Sequence, residues 1–291
     1  MNQLRAELSR LRYRRRTMWS LAGVLLMSLM VPVLWMEGAH PLTDADHAEA
    51  AEVFATIPAE QCPDCSVSDY LRTPWAFSDV VDSGLMPYAM LMGALVLLIV
   101  MLSVGSDLRS GAIGTQLTFT PRRSALVAAR AAVAGLLGAA LMATALVTST
   151  VVSAVWFVAM NGYAALDATT SLLALVLSAG FYGAILGILG ALLTVLLGGA
   201  SGAGVLVVGV FVADVLAQWI GSETEAAAWL PHLLPTQQGI ALLDGFVLGQ
   251  GAHGRQMYEI GRAEAVAYHL GVTAVAAAVT LPLFERRDIK N

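Results

Sequence analysis

Lysine is almost missing from this chain. The only one, Lys290, stands one residue from the end. No glycine-rich turn therefore has a lysine behind it to reach the β- and γ-phosphates of a nucleotide. That excludes nucleotide hydrolysis through a P-loop of the chain's own, and any ATP-driven work would need a separate subunit. Charge of either sign is also scarce, at 13% of 291 residues, where a soluble domain carries about a quarter. Cysteine is reduced to Cys62 and Cys65, so a zinc site would need two further ligands, with His40 and His47 the nominal candidates. None of the five histidines falls in an HExxH pattern. The apolar stretches lack the period-2 alternation of a membrane β-barrel.

What the chain has in abundance is apolar sequence. Hydrophobic residues make up 57% of it and the mean hydropathy is +0.71. Six stretches stand out, at 18–36, 86–105, 126–158, 170–197, 203–220 and 265–284. About 20 consecutive apolar residues match the thickness of a bilayer core. The expected fold class is an all-α membrane protein with six transmembrane helices and no room for a large soluble domain. The third stretch is longer than a straight crossing needs, so it must tilt, bend or project. The fourth and fifth are parted only by Gly198-Gly199-Ala200-Ser201-Gly202, which predicts a tight antiparallel hairpin.

Lys and Arg fix the expected orientation. In a six-span arrangement, thirteen of the sixteen basic residues fall on one side: six arginines before residue 17, then Arg109, Arg122, Arg123 and Arg130, then Arg286, Arg287 and Lys290. Arg72, Arg255 and Arg262 remain for the other. Both termini are then cytoplasmic, as an even number of spans requires. A cleavable signal peptide is the competing reading of the N-terminus. Against it, the apolar run is long and no small-x-small site follows before Glu37. Residues 1–17 carry Leu4, Leu8 and Leu11 at helical spacing among arginines. They predict an amphipathic helix lying on the membrane among anionic headgroups, unless the arginines serve only to set topology. Residues 18–291 form the transmembrane domain.

Outside the membrane, segment 37–85 holds ten of the twenty-one acidic residues, and a small folded cap is expected there. Its Cys62-Pro63-Asp64-Cys65 reads first as a disulfide clip. Redox and zinc roles lack the surrounding βαβ pattern or further ligands. Segment 221–263 is too broken to span and is expected to form short interfacial or re-entrant helices. Within the fifth stretch Asp214 is the one firmly embedded acid. A carboxylate there belongs toward the bundle interior or a hydrated cavity, or else near the outer headgroups, and it is the candidate residue for a substrate pathway. Gly180, Gly183, Gly187 and Gly190 give the fourth span a face of small residues. Such a face suits close packing within the chain or across a dimer.

Segment 106–124 is the most informative. It is short and amphipathic, with Ile113, Leu117 and Phe119 available for a partner's groove, and a closing Pro121-Arg122-Arg123 that stops the helix. This loop resembles the cytoplasmic loop of ABC-2 type permeases, the membrane subunits of one class of ATP-binding-cassette exporter. In that family a charged stretch leads into Gly-Thr, an apolar helix, then Pro and Arg before the third span. Here these are Asp107, Arg109, Gly114-Thr115, Pro121 and Arg123. Phe284-Glu285-Arg286-Arg287-Asp288 is similar to the family's usual close, and Leu234-Pro235-Thr236 is a weaker match. The long acidic loop with its CxxC departs from many simple members.

The resemblance implies a complex of two permease copies or relatives with two P-loop ATPase subunits in a bacterial cytoplasmic membrane. The chain itself would bind no cofactor, metal or nucleic acid and would have no catalytic residue; ATP and Mg would sit on the ATPase. Asp107, Arg109, Gly114, Thr115, Leu117, Pro121 and Arg123 would couple ATPase closure to the spans. The cargo would be a hydrophobic or amphipathic lipid, peptide or antibiotic. A transporter driven by ion gradients would instead show paired ionisable groups in the spans and inverted repeats. A non-transporting binding or immunity protein is the other alternative.

Overall fold

The computed structural model describes residues 2–13, 15–36, 39–57, 62, 65–119, 122–167, 171–250 and 255–286. Helix α1 (Asn2–Tyr13) is followed by α2 (Arg15–Met36) and, after a short break, α3 (Asp44–Thr56). The short α4 (Phe77–Asp79) passes through a π-turn into α5 (Leu85–Arg109), giving a helical run of 33 residues. Next come the short α6 (Ala112–Phe119) and the long α7 (Arg123–Asn161). Helices α8 (Leu172–Leu196) and α9 (Ala200–Glu223) precede the 10-residue α10 (Pro235–Asp244). A hairpin of β1 (Phe246–Gln250) and β2 (Gln256–Gly261) leads into α11 (Arg262–Arg286).

Among the described residues, five helices are long and apolar enough to cross a membrane: Phe77–Arg109, α7, α8, α9 and α11. The protein is an all-α multi-pass membrane protein by that measure. Helix α2 also runs the length of the bundle beside α7. Its start lies near Ser106 and Asp107. Just beyond its end, the Ala39 carbonyl accepts a 3.2 Å bond from Asn161 Nδ2 at the far end of α7. Midway, Tyr88 Oη on α5 donates to the buried Ser28 Oγ at 2.6 Å, which in turn donates to the Val24 carbonyl.

The core is built on α7 and α8, the most extensively packed pair. A Cβ added to Gly138 would lie 2.1 Å from the Gly183 carbonyl oxygen, and one on Gly187 would lie 2.3 Å from that of Ala134. No side chain fits, so glycine is what lets the two backbones meet. Gly190 turns the same face toward Leu97 and Val100 of α5, whereas a Cβ on Gly180 would only touch the Ala139 carbonyl oxygen, at 4.0 Å. The glycine row therefore serves packing within the chain.

The α8–α9 turn at 197–199 is tight, as its glycines predict. Gly198 takes φ +74° and the Gly199 N–H closes on the Thr194 carbonyl at 3.0 Å. Beyond the turn, α8 packs mainly on α7 and α5 and only lightly on α9, because it spends its small-residue face on the first two. Over their most apolar windows α9 is 17% buried and α7 56%. Val205, Phe211 and Trp219 of α9 are exposed, which suits a helix bathed in lipid.

The 37–85 segment does contain a folded cap. Thr43 and Asp46 form a capping box at the start of α3, and Phe54 packs on Tyr70. Arg72 Nε donates to Asp46 Oδ1 at 2.6 Å, and its Nη2 reaches the His40 and Pro41 carbonyls. The Arg72 guanidinium and then the Thr43 hydroxyl and N–H hold the Asp46 carboxyl well below the usual range. Cys62 and Cys65 are disulfide-bonded, with Cα atoms 5.4 Å apart; the intervening Pro63 and Asp64 lie outside the described residues.

The hairpin in the 221–263 segment was not expected from the sequence. Gly249 faces the Tyr258 ring so closely that a Cβ would fall 2.0 Å from it, and Gly245 (φ +115°) closes α10 before β1. Short runs of aromatic and branched residues flanked by glycine, here Phe246-Val247-Leu248 and Met257-Tyr258-Glu259-Ile260, are the strand signal that pointed to it.

Candidate functional site

The sequence places one acid, Asp107, at the end of the second apolar stretch and one arginine, Arg130, just inside the third. Both are buried, at 7% and 6% exposure. Two opposite charges in low dielectric persist only if they are paired and hydrogen-bonded. They are: Arg130 Nη1 on α7 donates to Asp107 Oδ2 on α5 at 3.2 Å. Helix α1 adds a second pair. Glu7 Oε1 stands 3.7 Å from Arg130 Nε and 3.7 Å from Arg10 Nη1, and Arg10 Nη2 is 3.9 Å from Asp107 Oδ1. Among the described residues two arginines thus face two carboxylates.

Gln116 closes the cluster from α6. Its side-chain amide donates to Glu7 Oε1 at 3.1 Å while its oxygen accepts from Arg130 Nη2. Ile113, one turn earlier, is buried among Val104, Leu126, Val127 and Phe284. The sequence offered Ile113 to a partner's groove; the fold uses it as the apolar pin that holds α6 against α5, α7 and the end of α11. Phe284 in that group also brings the C-terminal end of α11 to the same end of the bundle as α1.

The other expected residues fall around this cluster. Asp107 and Arg109 belong to the last turn of α5 rather than to a loop, because the chain turns only at Gly111, with φ +70°. Arg109 is exposed. Gly114 is half-buried and Thr115 exposed, its hydroxyl 3.4 Å from the Gly111 carbonyl. Arg123 is the half-buried first residue of α7. Pro121 and the Leu117 side chain lie outside the described residues, as do Arg287 and Asp288. Glu7, Arg10, Gln116 and Arg130 were not singled out as site residues. A lone arginine inside one apolar stretch and a lone aspartate at the edge of another was the available signal.

Asp214 is elsewhere, toward the opposite end. It is 1% exposed. Its Oδ2 accepts from the Thr236 backbone N–H at 3.0 Å and its Oδ1 from Gln218 Nε2 at 3.1 Å. Helix α10 begins Leu234-Pro235-Thr236, and Leu234 has no side chain that can cap it. Asp214 supplies that cap from another helix, where the first turn's unpaired N–H groups and dipole favour a carboxylate. Gln218 and α10 occupy both of its oxygens.

Comparison of the chain with protein-family models, with curated proteins and with solved structures returned no match.

Proposed function

We propose that this protein is the membrane-spanning permease subunit of an ATP-driven exporter of the ABC-2 type, with a separate ATPase supplying the energy. In this reading α2 is the first of six crossings, both termini are cytoplasmic, and α6 is the element the ATPase pushes. The observation that carries the proposal is the Gln116–Arg130–Asp107–Glu7 cluster. A helix that transmits force must be tied to the spans it moves. Through Gln116 a displacement of α6 reaches α7 by Arg130, α5 by Asp107 and the interfacial α1 by Glu7. Buried charge pairs suit this task, since separating them is costly and they hold discrete registers rather than sliding.

In the same reading Arg109, Gly114, Thr115, Leu117, Pro121 and Arg123 border the ATPase contact, and two permease copies or relatives meet two ATPase subunits. The cargo is hydrophobic or amphipathic. Support for that is the broad apolar exposure of α9 and α11 together with the lack of a charged track along the described spans. Asp214, engaged in capping α10, is a positioning residue for the outer segment in this scheme rather than a relay.

Affinity purification from native membranes in mild detergent tests the proposal. A stoichiometric P-loop ATPase with vanadate-sensitive hydrolysis is expected. Gln116→Ala is expected to leave the complex assembled but to uncouple hydrolysis from export. Recovery of the functional chain without any ATPase would overturn the reading.

A further inference from the structure

Beside the charge cluster, α2 leans on α7 and leaves a crevice against α5 of about 410 Å³. It is lined by Arg16 and Arg109 together with Thr17 and Ser20, whose Oγ donates to the Arg16 carbonyl at 2.9 Å. Its wall is apolar, formed by Ile99, Leu102 and Leu137. A second recess of about 290 Å³ shares Arg16 and adds Arg15, Ser106 and Ser110. Among the described residues lining these recesses the one acid, Asp107, is already engaged by Arg130 and Arg10. The guanidinium groups of Arg15, Arg16 and Arg109 make no ion pair with a described residue. Arg16 and Arg109 thus line an apolar slot, with Arg15 in the neighbouring recess, and no described carboxylate pairs with any of the three.

We infer that this crevice is a binding site for one anionic phospholipid, its phosphate held by Arg16 and Arg109 and one acyl chain lying on Ile99, Leu102 and Leu137. Basic recesses between membrane helices recognise anionic headgroups by charge, and each arginine near such a surface contributes modestly. The apolar wall favours a lipid over a soluble phosphate, which would leave it wetted. The slot is also large enough for a headgroup and the upper part of a chain. The lipid would lie between the first span and α5, which ends at Arg109, so its presence would hold α2 off α5. The inference rests on the α6 end lying at the cytoplasmic face, but not on the presence of an ATPase.

The test is native mass spectrometry of the full chain released from mild detergent after exposure to phosphatidylglycerol or phosphatidylethanolamine. One phosphatidylglycerol per chain is expected to survive, with phosphatidylethanolamine lost. Arg16→Gln with Arg109→Gln should weaken retention about thirtyfold, from two arginines, while Arg16→Lys with Arg109→Lys keeps most of it. Leu102→Trp, on an exposed position, should fill the slot and abolish retention with every arginine in place. Arg122→Gln, an exposed arginine outside the crevice, should change nothing. Equal loss in Arg122→Gln, no loss in Leu102→Trp, or displacement by glycerol phosphate would overturn the site in favour of diffuse attraction or a soluble ligand. An unchanged melting temperature in each variant separates loss of the lipid from loss of the fold. Export activity enters none of these readouts, so their failure leaves the exporter reading intact.

Discussion

At the α6 end of the bundle, Asp107 of α5 and Glu7 of α1 are matched by Arg130 of α7 and Arg10 of α1. At the hairpin end, among the described residues, no cation lies against Asp214, which takes a backbone N–H from α10 and an amide from its own helix instead. Both ends bury a carboxylate at similar depth, yet they solve the problem with different partners. Side-chain pairs can be exchanged or stretched as helices shift, so they suit an element that moves. A cap on a helix start ties one backbone to one side chain, so it suits an element that stays. In the proposed reading that contrast makes the α6 end the one that moves and the hairpin end the one that stays.

The contrast can be broken most sharply at Arg130. Arg130→Ala leaves Asp107 and Glu7 buried without their main partner and is expected to destabilise the protein by about 3–5 kcal/mol. The readout is thermal unfolding in detergent. Arg130→Met combined with Asp107→Leu should recover part of that stability, because the neutral pair carries no desolvation cost while Glu7 keeps Arg10 and Gln116, but it should not recover export. If the double variant exports normally, the cluster is packing and nothing more.

Next in size is the helix contact between the two ends. Gly138→Ala must push α7 from α8 and is expected to cost about 1–3 kcal/mol, whereas Gly209→Ala on α9 meets nothing within 4 Å and should be neutral or slightly stabilising through helix propensity. Comparable losses at both positions would mean that α9 is packed in the membrane against something other than lipid.

A smaller effect is expected at the hairpin end. Asp214→Ala should cost about 0.5–2 kcal/mol, the range for losing a helix cap, and amide exchange at Thr236 and the rest of the first turn of α10 should quicken. Asp214→Asn keeps an acceptor and should cost less. Rapid exchange throughout the spans in Asp214→Ala would show that the aspartate supports the whole bundle.

The smallest effect is a pH dependence in the cap around α3. The Asp46 carboxyl is held below its ordinary value by Arg72 and Thr43. Its contribution is therefore complete above about pH 4, near the unfolded carboxyl's own pKa, and is lost as the pH falls from there toward the folded value. Amide exchange in α3 should quicken on acidification across that window, and Arg72→Gln should weaken the dependence, with Thr43 still holding the Asp46 carboxyl down.

Much of the architecture was legible because membrane crossings are written in continuous stretches of residues. The apolar runs marked the five helices counted as crossings, and Gly198 and Gly199 marked the tight turn before α9. Boundaries were harder. The sequence offered no sign that α5 runs on through Asp107 and Arg109, since charged residues at a helix end and in a loop look alike until the turn at Gly111 is placed. The hairpin escaped because two short strands compete poorly with the apolar periodicity around them, and the Gly249–Tyr258 contact that fixes them is a cross-strand feature.

The candidate site was half visible. Asp107, Gly114 and Thr115 lie in a segment whose order of residues suggested a coupling role. Glu7, Arg10, Gln116 and Arg130 come from three other helices, and their distances from Asp107 in the chain carry no hint of proximity. From the sequence Arg130 reads only as a charge that sets topology. Leu234-Pro235-Thr236 and Asp214 were noted as separate features, and only the fold joins them as a helix start and its cap.

The sequence by itself determined that this is a membrane protein of apolar helices and that no P-loop resides in it. It did so because bilayer thickness and phosphate chemistry impose requirements on contiguous or singular residues: a run of sufficient length, or a lysine in the right place. The tertiary structure alone decided which charges meet, that α8 packs on α7 rather than on its sequence neighbour α9, and where an uncapped helix finds its carboxylate. Those outcomes depend on which faces of distant helices come together, and helix faces are paired by shape and charge in three dimensions rather than by order along the chain.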